Sequence, residues 1–264
     1  MRLACQERLL PPGPLLARWE DALRFGFDGI ELIGDDAAPD RLEELRAARR
    51  RGAVLSSVCV ASDRFIGDFD AGRRRAAREH LRRLLSMAAE LGAGGVITPA
   101  AWGMWTNSLP GHSPAPRSPA EDRAVLVEAL EELGTCAAEA GVRLFLEPLN
   151  RYEDHMVNRL DQGRLLLEAC GRPAVRLTAD LYHMNIEEAD PPAALRTAGD
   201  AVGHVHASDS NRLEPGRGHV DWAAVRAALR DIRFDGWLAI ECRLSGEPAD
   251  VLPAAVSAVR GGSS

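Results

Sequence analysis

The chain is predicted to be an α/β protein that folds as a single (β/α)8 TIM barrel, and three features of the sequence support this. Its 264 residues lie near the roughly 250 that are typical of such a barrel. Short apolar runs alternate with long amphipathic stretches, which is the pattern of parallel strands covered by helices. Four of these runs end near an acidic residue or a histidine, as expected where strand ends converge on one face. We therefore expect one barrel domain over residues 1–264.

Eight runs of apolar residues have the length and composition of buried strands. Two of them share a motif, FDGIEL at 27–32 and FDGWLAIE at 234–241, in which Asp-Gly favours a turn before a strand that carries a glutamate. This echo is typical of repeated barrel units; of its two glutamates, Glu31 is the weaker functional candidate and Glu241 the stronger. The predicted strands cover 3–5, 29–33, 54–60, 95–99, 143–147, 175–180, 202–206 and 238–241.

Amphipathic stretches of helical length separate the predicted strands. The arginine cluster at 73–83 is interleaved with alanine and leucine at helical spacing, which indicates a solvated helix face rather than a nucleic-acid site. The predicted helices cover about 15–25, 40–51, 71–91, 119–140, 162–170, 191–198, 222–232 and 248–259.

The connection at about 100–118 has neither helical nor strand periodicity and contains tryptophans, glycines and prolines. Long connections inside compact domains are usually functional, and a tryptophan at a pocket mouth can cover a sugar and exclude water. We predict that this connection is a lid. Trp102, close to the preceding strand end, is expected to contact the substrate, whereas Trp105 can equally anchor the loop by burial.

Composition narrows the classes of partner. The formal net charge of −7 disfavours a protein that grips nucleic acid and favours a small polar substrate. We find neither a signal-peptide pattern nor an apolar run long enough to cross a bilayer, so we expect a soluble cytoplasmic protein without a membrane partner. Five cysteines without a CxxC pair predict reduced thiols rather than disulfides or a zinc knuckle. The oligomeric state is left open, and a homo-oligomer is compatible with these features.

Four segments, LEPLNRYE, ADLYHMN, HVHASDSNR and LAIEC, place a metal-binding type of side chain at the end of an apolar run. The residues are Glu147, Asp180, His206 and Glu241, and their spacing of roughly thirty residues fits successive strand and helix units. In a barrel these strand ends meet at one face. Three carboxylates and one imidazole form a hard, oxygen-rich set that suits a divalent metal, Mn²⁺ first, with Mg²⁺ or Co²⁺ as alternatives.

Such a site suits chemistry next to a carbonyl. A metal that chelates a ketose through its carbonyl and a neighbouring hydroxyl stabilises an enediolate and makes the C–H between them easier to ionise. One of Glu147 and Glu241 can remove this proton and the other can return it on the opposite face, which inverts the carbon. If a single base carries the proton to a neighbouring carbon, the outcome is aldose–ketose isomerisation instead.

In these segments the chain resembles the xylose isomerase-like sugar isomerase and epimerase superfamily, and within it the D-tagatose/D-psicose (ketose) 3-epimerases. The resemblance covers about the whole barrel and is most specific in LEPLNRYE, DLYHMNIE and HVHASDSNRLEPGRGHVDW. It implies that the four residues bind a divalent cation, usually manganese, and that Glu147 and Glu241 are the acid/base pair that inverts a ketose at C3. It also implies that Glu153, His183 and Arg212 contact the oxygens of the sugar substrate.

Other residues near the strand ends bear on the identity of the substrate and on the packing of the lumen. Cys242 and Arg243 follow the last metal candidate where the ketose epimerases carry a proline and an aromatic residue that help to shape the sugar pocket, so the identity of the sugar stays open. His204 shares a strand with His206, and we expect its side chain to point away from the lumen and to serve packing. No basic phosphate cradle stands out, which favours an unphosphorylated substrate.

The same metal set permits other functions. An epimerase or lyase of 3-keto-glycosides, or an isomerase of hydroxypyruvate or inososes, would use similar chemistry. An apurinic-site endonuclease of the same superfamily would need three zinc ions, and the histidines that it requires on the second and third strands are missing from this sequence. A barrel that binds a sugar without catalysis is a further alternative, against which the retention of all four metal candidates argues.

Overall fold

The computed structural model describes residues 1–103 and 115–262. Eight parallel strands pair in chain order, and the last closes against the first to form a complete barrel, which confirms the predicted fold class. All eight predicted strands agree with the structure within one residue at each end. The strands are β1 (Arg2–Gln6), β2 (Gly29–Gly34), β3 (Leu55–Val60), β4 (Gly95–Pro99), β5 (Arg143–Glu147), β6 (Val175–Asp180), β7 (Val202–Ala207) and β8 (Trp237–Ile240).

The helices lie between the strands, and the eight predicted ones are all present. The structure adds a short helix directly after the sixth strand, in a segment for which no helix is predicted. Asp180 begins it by accepting hydrogen bonds from the backbone N–H groups of Tyr182 and His183. The helices of the described residues are α1 (Leu15–Phe25), α2 (Leu42–Arg50), α3 (Ala71–Leu91), α4 (Pro119–Ala140), α5 (Leu160–Cys170), α6 (Leu181–Glu187), α7 (Pro191–Ala198), α8 (Trp222–Asp231) and α9 (Pro248–Arg260).

The main hydrophobic core lies between the barrel and its helices, where leucines, valines and alanines of both layers are buried. A second set of side chains fills the lumen, because successive residues of a strand point alternately to the helices and to the inside of the barrel. At its base, Gly29 leaves room for the ring of Trp237, from which an added Cβ would lie only 2.8 Å. Cys59, Ile97 and Phe145 form a second packed layer. The lumen is therefore solid, and a ligand must bind at the mouth.

The predicted lid lies mostly outside the described residues. Trp102 and Gly103 are described, but residues 104–114, Trp105 among them, are not. Within residues 1–103 and 115–262, no helix has both the length and the apolarity needed to cross a membrane.

Candidate metal centre and active site

The structure brings the four predicted metal ligands together at the C-terminal end of the barrel. Glu147 and Asp180 are the last residues of β5 and β6, His206 lies near the end of β7, and Glu241 follows β8 directly. All four are buried, and each offers a ligand atom within 4.8 Å of those of the other three. Residues that are distant in the chain meet because parallel strands all end on the same face.

Two basic groups, the His206 imidazole and the Arg212 guanidinium, lie among these carboxylates. His206 Nδ1 is 2.7 Å from Glu147 Oε1 and 3.1 Å from Glu241 Oε2. The guanidinium of Arg212 donates to Asp180 Oδ2 at 2.8 Å and to Glu241 Oε2 at 3.2 Å. The cluster therefore holds three carboxylates whose mutual repulsion is relieved by neighbouring positive charge.

The two glutamates of the cluster have different proton affinities. Burial raises the pKa of Glu147, and the neighbouring carboxylates add to this effect although His206 opposes it. Burial acts in the same direction on Glu241, but His206, Arg212 and Arg8 outweigh it and lower the pKa of Glu241. Burial would lower the pKa of His206, yet the surrounding carboxylates hold it well above its usual value. The pKa values of the two glutamates are therefore shifted in opposite directions.

The donor set fits a divalent cation. Three carboxylate oxygens and one imidazole nitrogen converge within a few ångströms in a buried pocket, and oxygen-rich sets of this kind suit Mn²⁺ and Mg²⁺. Buried carboxylates are costly unless they are paired with a cation, and an ion of charge +2 would meet that need. A second group, formed by Glu31, Cys59 and His206, shares the imidazole and has fewer oxygen donors.

Glu31, which was ranked below Glu241 as a functional candidate, lies directly beneath this centre and contacts one of its members. The carboxylate is fully buried, and Oε1 accepts from Gln6 Nε2 at 2.9 Å and faces His206 Nε2 at 3.0 Å. Its other oxygen, Oε2, accepts from Ser57 Oγ at 2.6 Å. Burial alone would raise the pKa of Glu31, but the two histidines that face it, chiefly His206, hold it well below the usual range. The echo of FDGIEL with FDGWLAIE was the available signal.

The prediction for His204 was wrong. Its ring is buried inside the barrel, with Nε2 2.9 Å from Glu31 Oε2 and its centroid 5.1 Å from that of His206. The two histidines are two residues apart on one strand, so strand geometry places both on the same face. Burial lowers the pKa of His204, so we describe it as a neutral ring that packs in the lumen.

These contacts orient the metal candidates from below. Because Glu31 engages Nε2 of His206, Nδ1 is the ring nitrogen that faces the other three ligands. Gln6 Nε2 bridges Glu31 and Glu241, donating to Oε1 of each at 2.9 and 3.0 Å. Hydrogen-bond partners of a metal ligand fix its orientation and, for a histidine, its tautomer, and they also tune its basicity.

A polar chain connects His183 to the start of the predicted lid. The backbone N–H of Asn150 donates to His183 Nδ1 at 3.1 Å, so the proton of the neutral ring lies on Nε2, which faces the metal cluster 3.6 Å from Asp180 Oδ2. The Asn150 amide also donates to Glu153 Oε1 at 2.9 Å. Glu153 Oε2 accepts from Trp102 Nε1 at 3.0 Å. Three predicted substrate contacts therefore form one connected group, although the Trp102 ring is 54% exposed.

Arg212, the remaining predicted substrate contact, adopts a strained backbone. Its φ of 63° lies in the left-handed region that non-glycine residues avoid, a feature that is concentrated at functional sites. The loop is held by Asp209, whose carboxylate accepts from the backbone N–H groups of Gly216 and Val220. The guanidinium also lies over the ring of Tyr182 at 4.7 Å. The strain serves to aim this side chain into the cluster.

Comparison with known proteins identifies the family. Residues 19–260 match the family model described as xylose isomerase-like TIM barrel. The chain belongs to this family. It is 36% identical, over 94% of both chains, to the 3-dehydro-D-guloside 4-epimerase of Escherichia coli. It is 32% identical to the D-psicose 3-epimerase of Agrobacterium fabrum, with 84% of this chain and 77% of that protein covered.

Solved structures agree with this assignment. The apo crystal structure of a 3-keto-D-glucoside 4-epimerase from Escherichia coli superposes with a TM-score of 0.93 at 35% identity, over 99% of both chains. A D-psicose 3-epimerase from Clostridium cellulolyticum, solved with D-tagatose, superposes with a TM-score of 0.84 at 23% identity, which shows the shared fold. The relatives are epimerases, and this family member is accordingly a sugar epimerase, an enzyme of the isomerase class.

Proposed function

We propose that this protein is a divalent-metal-dependent epimerase of keto-sugar glycosides, which inverts the ring carbon next to the ketone. The observation that carries this choice is the match of nearly the whole chain, in sequence and in structure, to an epimerase of a dehydro-sugar glycoside. The residues beyond Glu241 favour this choice, because Cys242 and Arg243 stand where the resemblance to the free-ketose epimerases implies a proline and an aromatic residue. The substrate class is therefore a glycoside with a ketone in its ring, and C4 of a 3-keto-glycoside is the carbon that we expect to be inverted.

Glu147, Asp180, His206 and Glu241 are proposed as the ligands of the cation, with Mn²⁺ favoured and Mg²⁺ or Co²⁺ as alternatives. When bound, the cation would polarise the ketone and a neighbouring hydroxyl and so make the intervening C–H more acidic. Support comes from the convergence of the four donors and from the outer contacts that orient His206.

Glu147 and Glu241 are proposed as the acid/base pair. Opposite shifts in pKa suit two carboxyls for opposite roles, one as proton donor and one as proton acceptor. Because they come from strands on different sides of the mouth, they can face a bound sugar from two directions. Glu241 would then remove the proton and Glu147 would return one to the other face, with the roles exchanged in the reverse reaction.

Four further residues are proposed to hold the sugar. The Nε2–H of His183 and the guanidinium of Arg212 would donate hydrogen bonds to substrate oxygens, and Glu153 would accept one. Trp102 would cover one face of the sugar, since its exposed ring is tethered by Glu153 at the edge of the mouth.

A second candidate is a ketose 3-epimerase that acts on a free sugar. It is favoured by the 32% identity to a D-psicose 3-epimerase and by the segments LEPLNRYE and DLYHMNIE, from which the resemblance to that group was drawn. The same four ligands and the same two glutamates would serve it.

Isotope exchange separates the two candidates. The Mn²⁺-loaded protein is incubated in D₂O with methyl 3-keto-glucoside, methyl 3-keto-guloside, D-fructose and D-psicose, and the products are read by NMR. We expect interconversion of the two keto-glycosides with solvent deuterium at C4, because the arriving proton is not the departing one. Exchange confined to C3 of the free ketoses would support the second candidate instead. The absence of deuterium from every substrate would contradict both.

A further inference from the structure

A cavity of about 620 Å³ opens beside the metal cluster, between the segment that follows β1 and the segment that follows β8. Residues 8–12 form one side and residues 242–248 the other, with Arg212 between them. This volume is within the roughly 300–1,000 Å³ of small-molecule sites. The assignments made so far use only Arg212 of this lining.

The cavity adjoins the proposed reaction centre directly. Two of its lining residues contact the metal candidates: Arg8 donates to Glu241 Oε1 at 3.0 Å, and Arg212 donates to Asp180 and Glu241. A third, Cys242, is bonded to Glu241 in the chain. The side chains of Arg8 and Arg212 therefore lie at the junction of the metal cluster and the cavity.

The lining combines apolar surface with a guanidinium that has no partner within residues 1–103 and 115–262. Leu9 and Leu10 are buried beneath it, and Leu244 and prolines add to the apolar walls. Arg243 is exposed at the rim, and among the residues that the structure describes its side chain has neither a hydrogen bond nor an ion pair. Glu247, also exposed, is the acidic residue of the lining, against three arginines.

The backbone beneath this free guanidinium is well held. The N–H of Arg243 donates to the carbonyl oxygen of Arg212 at 2.8 Å, and the same residue forms an isolated parallel bridge with Leu213. The residue therefore starts from an ordered wall that is shared with the strained loop of Arg212.

We infer that this cavity is the aglycone subsite of the proposed keto-glycoside epimerase, and that it accepts an aglycone with apolar surface and a carboxylate that pairs with Arg243. The inference rests on the proposed function, since only a glycoside has an aglycone to place there. A planar guanidinium can hold a carboxylate through two parallel hydrogen bonds, and the leucines and prolines suit the apolar part of the same group.

The test compares three 3-keto-glucosides that share the sugar: the methyl, the 4-carboxyphenyl and the 4-(methoxycarbonyl)phenyl glycosides. The acid and the ester have nearly the same apolar surface and differ in charge. For the unmodified protein we expect kcat/KM to be about 10-fold higher for the acid than for the ester, the effect of one charge-assisted hydrogen-bonded pair. In Arg243→Gln this ratio should fall to about one, and in Arg243→Glu it should drop below one because like charges repel.

Arg75→Gln is the matched control, because Arg75 is an exposed arginine on α3 that does not line the cavity, and the ratio should stay unchanged. Equal kcat/KM for acid and ester in the unmodified protein, or an Arg243→Gln variant that slows all three glycosides equally and keeps the ratio, would overturn the subsite while leaving the epimerase proposal intact. Failure to epimerise even the methyl glycoside would instead overturn the proposed function on which the subsite rests.

Discussion

The two halves of the barrel contribute to the site in different ways. The second half, β5 to β8, supplies all four metal candidates at its strand ends. The first half supplies Gln6, Glu31 and Ser57, whose contacts reach the ligands from beneath. Under the proposed function, the second half would bind the metal and react, and the first half would position those groups.

The repeated motif shows how this division arises. Glu31 is the third residue of β2, whereas Glu241 follows the last residue of β8. Glu31 is consequently enclosed on all sides, and Glu241 retains some exposure at the mouth. Gln6 joins them by donating to both carboxylates. The same residue type in the same local motif is thus a support in one half and a candidate ligand in the other, because its position along the strand differs.

The largest expected effect is the removal of the metal from the second half. Exhaustive chelation should abolish turnover, and Mn²⁺ should restore it. Reloading should also raise the melting temperature, because an ion that binds only the folded state adds about 2.7 kcal/mol at a concentration of 100 times Kd. Turnover is measured together with metal content by elemental analysis. Full activity with metal content near zero would remove the metal from the mechanism.

The next largest effect is expected when either of the two proposed acid/base glutamates is replaced. Glu147→Gln and Glu241→Gln preserve shape and remove the base, and each should lower kcat by roughly 10² to 10⁴. Glu139→Gln is the matched control, an exposed glutamate on α4 that should leave kcat unchanged. Metal content is measured in every variant. Near-normal kcat in either site variant with the metal still bound would contradict a two-base mechanism.

Glu31→Gln tests the positioning half directly. Loss of the buried charge should weaken the bond that directs His206, and we expect the affinity for Mn²⁺ to fall by about 10- to 100-fold, as is typical when an outer partner of a metal ligand is lost. Calorimetric titration of Mn²⁺ into the metal-free protein measures this affinity independently of activity. An unchanged Kd would show that the first half of the barrel has only a structural role, and the comparison between halves would then fail.

Ser57→Ala should give the smallest effect. It removes one hydrogen bond to Glu31 and leaves the other contacts of that carboxylate in place. We expect unfolding to be easier by about 1 to 3 kcal/mol, because a buried charged acceptor loses a donor. The affinity for Mn²⁺ should fall by less than in Glu31→Gln, as measured by denaturant unfolding and the same titration. A larger loss of Mn²⁺ affinity than in Glu31→Gln would contradict the proposal that Glu31 contributes more than Ser57 to positioning His206.

Much of the molecule follows from local sequence. Strands that are buried on both faces appear as continuous apolar runs of four to six residues, and these runs predict all eight strands. Helices that are buried on one face appear as amphipathic stretches with a helical period, and these stretches predict eight of the helices. The four metal candidates could also be found, since Glu147, Asp180, His206 and Glu241 each end such a run. The short helix α6 was missed because seven residues carry little periodicity and its start depends on one side chain, Asp180.

The sequence by itself thus determined the barrel and the residues at the ends of its second four strands, because strand order and side-chain alternation are local properties that the closed sheet only assembles. The tertiary structure alone decided which groups lie around them. The contacts of Glu31, the inward ring of His204, the tautomer of His183 and the position of Arg243 beside a cavity all depend on contacts between elements far apart in the chain. Such contacts are set by strand register and barrel closure, and no short window of sequence contains them.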